Sequence, residues 1–137
     1  MAKGGLYPSR EFVGLSGVLK NHHTNIQALF RRYLGAQSHS RPALAEEILL
    51  GLQSYLAMEE DVLFEVIRSG PYGMDLVEDD ILEHEDIKAM FRQLVWSEIS
   101  DGGVWEEIFQ DMMQTARVHF ITEERDLLPL VDRSRDA

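Results

Sequence analysis

The chain has no cysteine. Disulfides and thiolate metal ligands are excluded, and cysteine usage leaves the redox compartment open. Any metal ion would have to be held by nitrogen and oxygen, which suits iron, manganese or zinc better than a soft metal. Positive charge is also scarce: 13 Lys and Arg stand against 24 Asp and Glu, a formal net charge of −11. That balance argues against nucleic acid or an anionic membrane surface as a partner. No apolar run is long enough to span a bilayer. The opening Met-Ala-Lys-Gly-Gly-Leu-Tyr-Pro has no signal-peptide core, so a soluble cytoplasmic protein is expected. A convincing strand pattern and low-complexity segments are both missing.

What is present fits a single helical domain. The 137 residues are 45% hydrophobic, enough for one core. Residues 1–8 are glycine-rich and end at Pro8, which predicts a flexible lead-in. Residues 9–131 carry four helical patterns, and 132–137 form a tail. The first helix starts with Ser9 as N-cap and Glu11 in its first turn. It carries Phe12, Leu15, Leu19, His23, Ile26, Leu29, Phe30 and Tyr33 at helical spacing and stops at Gly35. A second helix, capped by Ser40 with Pro42 in its first turn, is predicted to run to Arg68 before Ser69-Gly70-Pro71. Its stripe is Ile48, Leu52, Tyr55, Glu59, Val62, Leu63 and Val66. A third is predicted from an Asp75 cap to about Ser100, with Leu76, Ile81, His84, Ile87, Phe91, Leu94 and Val95 inward. The turn Asp101-Gly102-Gly103 leads to a fourth helix from Val104 towards Asp126, ended by Pro129. Its inward residues are Trp105, Ile108, Met112, Thr115, His119, Glu123 and Leu127. Four helices, each roughly 35–40 Å long at about 1.5 Å per residue, joined by short loops predict an up-down-up-down bundle.

Two stretches are written twice. His23-Thr24-Asn25-Ile26-Gln27-Ala28-Leu29-Phe30 is matched by His84-Glu85-Asp86-Ile87-Lys88-Ala89-Met90-Phe91. Tyr55-Leu56-Ala57-Met58-Glu59-Glu60 is matched by His119-Phe120-Ile121-Thr122-Glu123-Glu124, with Tyr55 where the repeat demands a histidine. A carboxylate four residues after Tyr55, and again after His119, lies on the same helix face. Antiparallel packing brings His23, Tyr55 and Glu59, His84, and His119 and Glu123 towards one region of the core. A neutral imidazole gives one lone pair to one ion. A carboxylate offers two oxygens and can bridge two ions while cancelling their charge. An unpaired glutamate in an apolar core costs several kcal/mol or takes up a proton. His39 is in a loop and His22 points about 100° away from His23, so neither is expected to ligate.

The pattern resembles the hemerythrin-like HHE cation-binding family, H…HxxxE…H…HxxxE on a four-helix bundle. It appears here as His23, Tyr55-x-x-x-Glu59, His84 and His119-x-x-x-Glu123, with Glu123-Glu124-Arg125-Asp126-Leu127-Leu128-Pro129 as a similar flank. The resemblance implies two iron ions joined by an oxo or hydroxo bridge, with His23, His84 and His119 as terminal ligands and Glu59 and Glu123 as bridges. It also implies a peroxide, dioxygen or nitric oxide ligand. There are two departures. Tyr55 replaces a histidine, and Lys88 stands four residues after His84, where animal oxygen carriers have another histidine.

Two six-coordinate ions offer about twelve positions, of which these residues and an oxo bridge fill about ten. About two remain for exogenous ligands, or for Glu60, Glu83 or His22 as substitutes. A phenolate is a hard anionic donor that favours Fe(III), which disfavours reversible oxygen carriage. Disproportionation of hydrogen peroxide is the expected activity. The competing expectations are reversible O2 or NO binding, iron sensing or storage, and a metal-free bundle in which Tyr55 is ordinary core.

Overall fold

The computed structural model describes residues 2–65, 74–97, 103–130 and 132, with side chains from residue 14 onward in the first segment and from residue 77 in the second. Helix α1 spans Ala2–Gly35, α2 Arg41–Met58, α3 Met74–Trp96 and α4 Gly103–Thr122. The described residues contain no strand. Among the described residues the class is all-helical and the long helices number four, as expected.

Helix α1 is broken once. At Gly14 the backbone takes φ 59°, ψ −166°, a conformation glycine adopts without the clash a Cβ would bring. The side chains of the expected lead-in, of Ser9 and of Phe12 lie outside the described residues. Beyond Gly14, Leu19, His23, Ile26, Phe30 and Tyr33 are buried on one stripe as expected, and the helix stops at Gly35.

Ser40 does not cap α2. A 3-10 turn over Ser38–Ser40 runs directly into the helix, Ser40 itself is in the right-handed helical region, and its side chain makes no cap bond. The turn supplies the start instead: the Ser40 N–H donates to Gln37 O at 2.9 Å. Pro42 sits in the first turn as expected.

Helices α2 and α4 both end in a feature that no pattern in the sequence announced. Each passes into a π-helical turn, Glu59–Leu63 and Glu123–Leu127. The Phe64 N–H donates to Glu59 O, and the Leu128 N–H to Glu123 O. These bonds reach five residues back instead of four, which widens the turn. The wide turn moves the inward face. After Glu59 the buried residues are Leu63 and Phe64, while Val62 is turned out at 42% exposure. After Glu123 they are Leu127 and Leu128. The helical path continues through Leu130, so Pro129 does not end the fourth helix where expected.

Helix α3 buries Val77, Asp80, His84, Ile87 and Leu94. Val95, expected inward, is 81% exposed. The helix gives way to a bend at Ser97, before the expected end near Ser100. The side chains of Asp75 and Leu76, and Val66 to Arg68, Ser69-Gly70-Pro71 and Asp101-Gly102, fall outside the described residues. No helix among the described residues is long and apolar enough to cross a membrane.

Candidate metal centre

The four helices bring seven polar side chains into the core at one level. His23 comes from α1, Tyr55 from α2 and Glu59 from its π turn. Asp80 and His84 come from α3, His119 from α4 and Glu123 from the second π turn. All seven are buried. Both glutamates occupy the first position of a π turn. Four-residue spacing from Tyr55 and His119 puts both carboxylates on the inward face, and the widening follows them.

The inner contacts are short. Tyr55 Oη donates to Glu59 Oε2 at 2.6 Å and also lies against Glu123 Oε1. His23 Nε2 is 2.7 Å from Tyr55 Oη and 2.9 Å from Glu123 Oε1. His84 Nε2 is 2.6 Å from Glu59 Oε1. His119 Nε2 lies 3.4 Å from Glu123 Oε2 and 3.5 Å from Glu59 Oε1 but makes no hydrogen bond. The His23 ring stacks on Phe120 with centroids 4.3 Å apart, and Phe64 packs on His84 at 5.1 Å.

The outward ring nitrogens obey one rule. His23 Nδ1 meets Glu124 at 2.6 Å, His84 Nδ1 meets Glu60 at 3.0 Å, and His119 Nδ1 meets Glu83 at 2.6 Å. An ionised carboxylate can only accept, so each Nδ1 carries the hydrogen and donates it. Such partners hold a metal-ligating imidazole with its other lone pair inward. Glu60 and Glu83, named as alternatives to exogenous ligands at the open positions, lie on the outer nitrogens of His84 and His119. Glu124 has the same role, although as the second residue of a Glu-Glu pair it reads as solvated surface.

Asp80 was missed altogether in the sequence pattern. It lies one turn before His84, in the acidic run Glu78-Asp79-Asp80. Its Oδ2 is 3.5 Å from His84 Nε2 and its Oδ1 is 3.5 Å from His119 Nδ1. Lys88, one turn after His84, lies apart from the inner cluster, with Nζ 2.6 Å from Glu60. The inward neighbour of His84 on α3 is thus Asp80, one turn before it. His22 is half-buried, its ring centroid 6.4 Å from Tyr55. His39 is exposed in the 3-10 turn.

Crowding this many buried acceptors perturbs them. Burial, with help from Glu123, pushes Glu59 up to about 8. Its carboxyl therefore keeps a proton near neutrality, in reach of His84 Nε2. Burial also pushes Asp80 up to about 8. Burial and the two glutamates hold the Tyr55 phenol well above its usual range. Desolvation lowers His84. Desolvation would also lower His119, but Glu123, Glu59 and Glu83 around it push it up to about 12. Glu123 is held low: desolvation opposes this, and the closeness of Glu59, His119 and His23 prevails.

The residues fit a metal ion on geometry alone. Glu59, Asp80, His84, His119 and Glu123 each bring one ligand atom, and these lie within 4.8 Å of one another. Asp80 Oδ2, His119 Nε2 and Glu123 Oε2 are buried without a hydrogen-bond partner. Such atoms are costly to leave unpaired, about 1–3 kcal/mol each, and all three are good metal donors.

Residues 15–131 match the family model of the hemerythrin HHE cation binding domain, so the chain belongs to that family. No curated protein and no solved structure matches it.

Proposed function

We propose that this protein holds two iron ions in the inner cluster and disproportionates hydrogen peroxide, two H2O2 giving O2 and two H2O. The observation that carries the reading is the surplus of buried lone pairs. Three carboxylates, three imidazoles and a phenol converge, and three of their atoms lack a partner. Buried anions need cations or protons to offset lost hydration. A sulfur-free N/O set suits iron, manganese or zinc, and the resemblance of the motif to its family favours iron.

By position, Asp80, His84 and His119 would be terminal ligands of one ion, and His23 and Tyr55 of the other. Glu59 and Glu123 would bridge, with an oxo or hydroxo group between the ions. Asp80 takes one of the about two positions that the motif residues leave open, so about one remains for a small ligand. The centre is then richer in oxygen and less open than the motif alone suggests. When bound, the ion pair would supply Lewis acidity and the electron reservoir for peroxide.

The chain's own residues do the rest. Glu124, Glu60 and Glu83 fix the three imidazoles. Phe120 and Phe64 keep water off their faces. Glu59, with its carboxyl near 8 before metal binds, would release that proton as it takes up the ions. Glu83 is 40% exposed on its side chain and touches His119. It lines a cleft of about 280 Å³ with Asp86, Gln114, Thr115, Val118 and His119. That cleft gives protons a path from solvent to Glu83 and the outer nitrogen of His119. The Tyr55 hydroxyl touches Glu59, Glu123 and His23 together, which distinguishes it from a core tyrosine with one acceptor.

The test is anaerobic loading with iron, then peroxide, with oxygen measured by electrode. Oxygen release well above that of free iron, altered in Tyr55→Phe, is expected. Release equal to free iron, with Tyr55→Phe behaving like the parent, would sink the peroxide reading.

A further inference from the structure

The donors divide unequally between the two halves of the cluster. On one side, Asp80 Oδ2, His119 Nε2 and Glu123 Oε2 are buried without a hydrogen-bond partner. They belong to the five residues whose ligand atoms lie within 4.8 Å of one another. On the other side every contact is closed. His23 Nε2 is engaged with Tyr55 Oη and Glu123 Oε1, and Tyr55 Oη with both glutamates. Neither His23 nor Tyr55 has a buried atom left unpaired.

An ion arriving among Asp80, His84, His119, Glu59 and Glu123 displaces the His84–Glu59 hydrogen bond but meets three buried atoms that no hydrogen bond satisfies. One arriving at His23 and Tyr55 must first displace hydrogen bonds already made. A buried polar group without a partner gains most from a new one, whereas exchange of one partner for another gains little.

We propose that the two positions fill in sequence, and that the protein has a stable one-metal form. In that form the ion sits on the Asp80, His84 and His119 side, and Tyr55 remains a hydrogen-bond donor. The second position, at His23 and Tyr55, fills only at higher metal concentration. This rests on the proposed metal centre and adds the order of loading. Two imidazoles with several carboxylates suit a first-row divalent ion such as Mn(II) or Fe(II).

The test is titration of the metal-free full chain with Mn(II), monitored by electron paramagnetic resonance. At one equivalent the bound metal should give the spectrum of isolated ions. A spin-coupled pair should appear only as the second equivalent binds, with the two dissociation constants at least about tenfold apart. Asp80→Asn, checked by circular dichroism for retained helix, should weaken the first step more than the second. Tyr55→Phe should do the reverse. A coupled-pair signal from the first addition, with half the chains empty, would overturn the order and leave the metal reading standing. An unchanged first step in folded Asp80→Asn would overturn the assignment of sides. No bound Mn(II) at any ratio would overturn both the order and the metal reading.

Discussion

Asp80 sits one helical turn before His84, and its unpartnered Oδ2 lies 3.5 Å from that imidazole's Nε2. A buried carboxylate and a buried imidazole at this distance, with no hydrogen bond between them, leave room for something to bind both. The same holds for His119 Nε2 and Glu123 Oε2, 3.4 Å apart on α4 and its π turn.

The outer carboxylates should matter without touching an ion. Glu83 accepts from His119 Nδ1 at 2.6 Å. Glu83→Gln keeps the shape but weakens the acceptor. Metal affinity should fall about 10- to 100-fold, the usual cost of losing such a partner. Competition with a chromophoric chelator measures it, and an unchanged affinity would remove Glu83 from the orienting role.

The Tyr55 hydroxyl should be visible once iron is bound. A phenolate on Fe(III) gives a charge-transfer band in the visible. Tyr55→Phe should abolish it while iron content stays above zero. A band that survives the substitution would show that Tyr55 is no ligand.

The π turns should be sensitive to the apolar residues that close them. Phe64 and Leu128 are buried only because the turns are wide. Phe64→Ala should cost about 3–5 kcal/mol and Leu128→Ala about 2–5 kcal/mol, whereas Val62→Ala, on the exposed side, should stay within about 0.5 kcal/mol. Urea unfolding of the metal-free protein checks all three.

Stability without metal should fall as pH rises from about 6.5 to 8. Glu59 and Asp80 are raised to about 8. In that window the folded state keeps protons the unfolded chain has already released, so rising pH favours unfolding. His119 is raised from 6.5 to about 12, and its contribution is complete below 6.5 and declines upward from there. The three slopes therefore add. His84, which is lowered, acts oppositely but only as pH falls through 6.5. Bound metal replaces those protons, so loading should flatten the slope and release protons. Thermal melts across the window, with and without metal, test this; a melting temperature that rises with pH in the metal-free protein would contradict it.

Much of the fold and the site was legible in the chain, for identifiable reasons. The six motif residues converge because repeated spacing on helices fixes which side chains share a face. Asp80 was hidden because Glu78-Asp79-Asp80 reads as solvated charge, although its one-turn spacing from His84 mirrors the spacing of Glu59 from Tyr55. The π turns were hidden because one extra residue in a turn leaves no compositional mark. Their trace lies in Phe64 and Leu128, apolar residues one step beyond the expected stripe. The Glu-Glu pairs concealed a division of labour, the first glutamate inward and the second on a histidine's outer nitrogen.

The most direct test of the central claim is the iron content of the reconstituted protein after desalting, read together with its visible spectrum. The account predicts two irons per chain and a phenolate band. A desalted protein that retains none, folded and colourless, would contradict it.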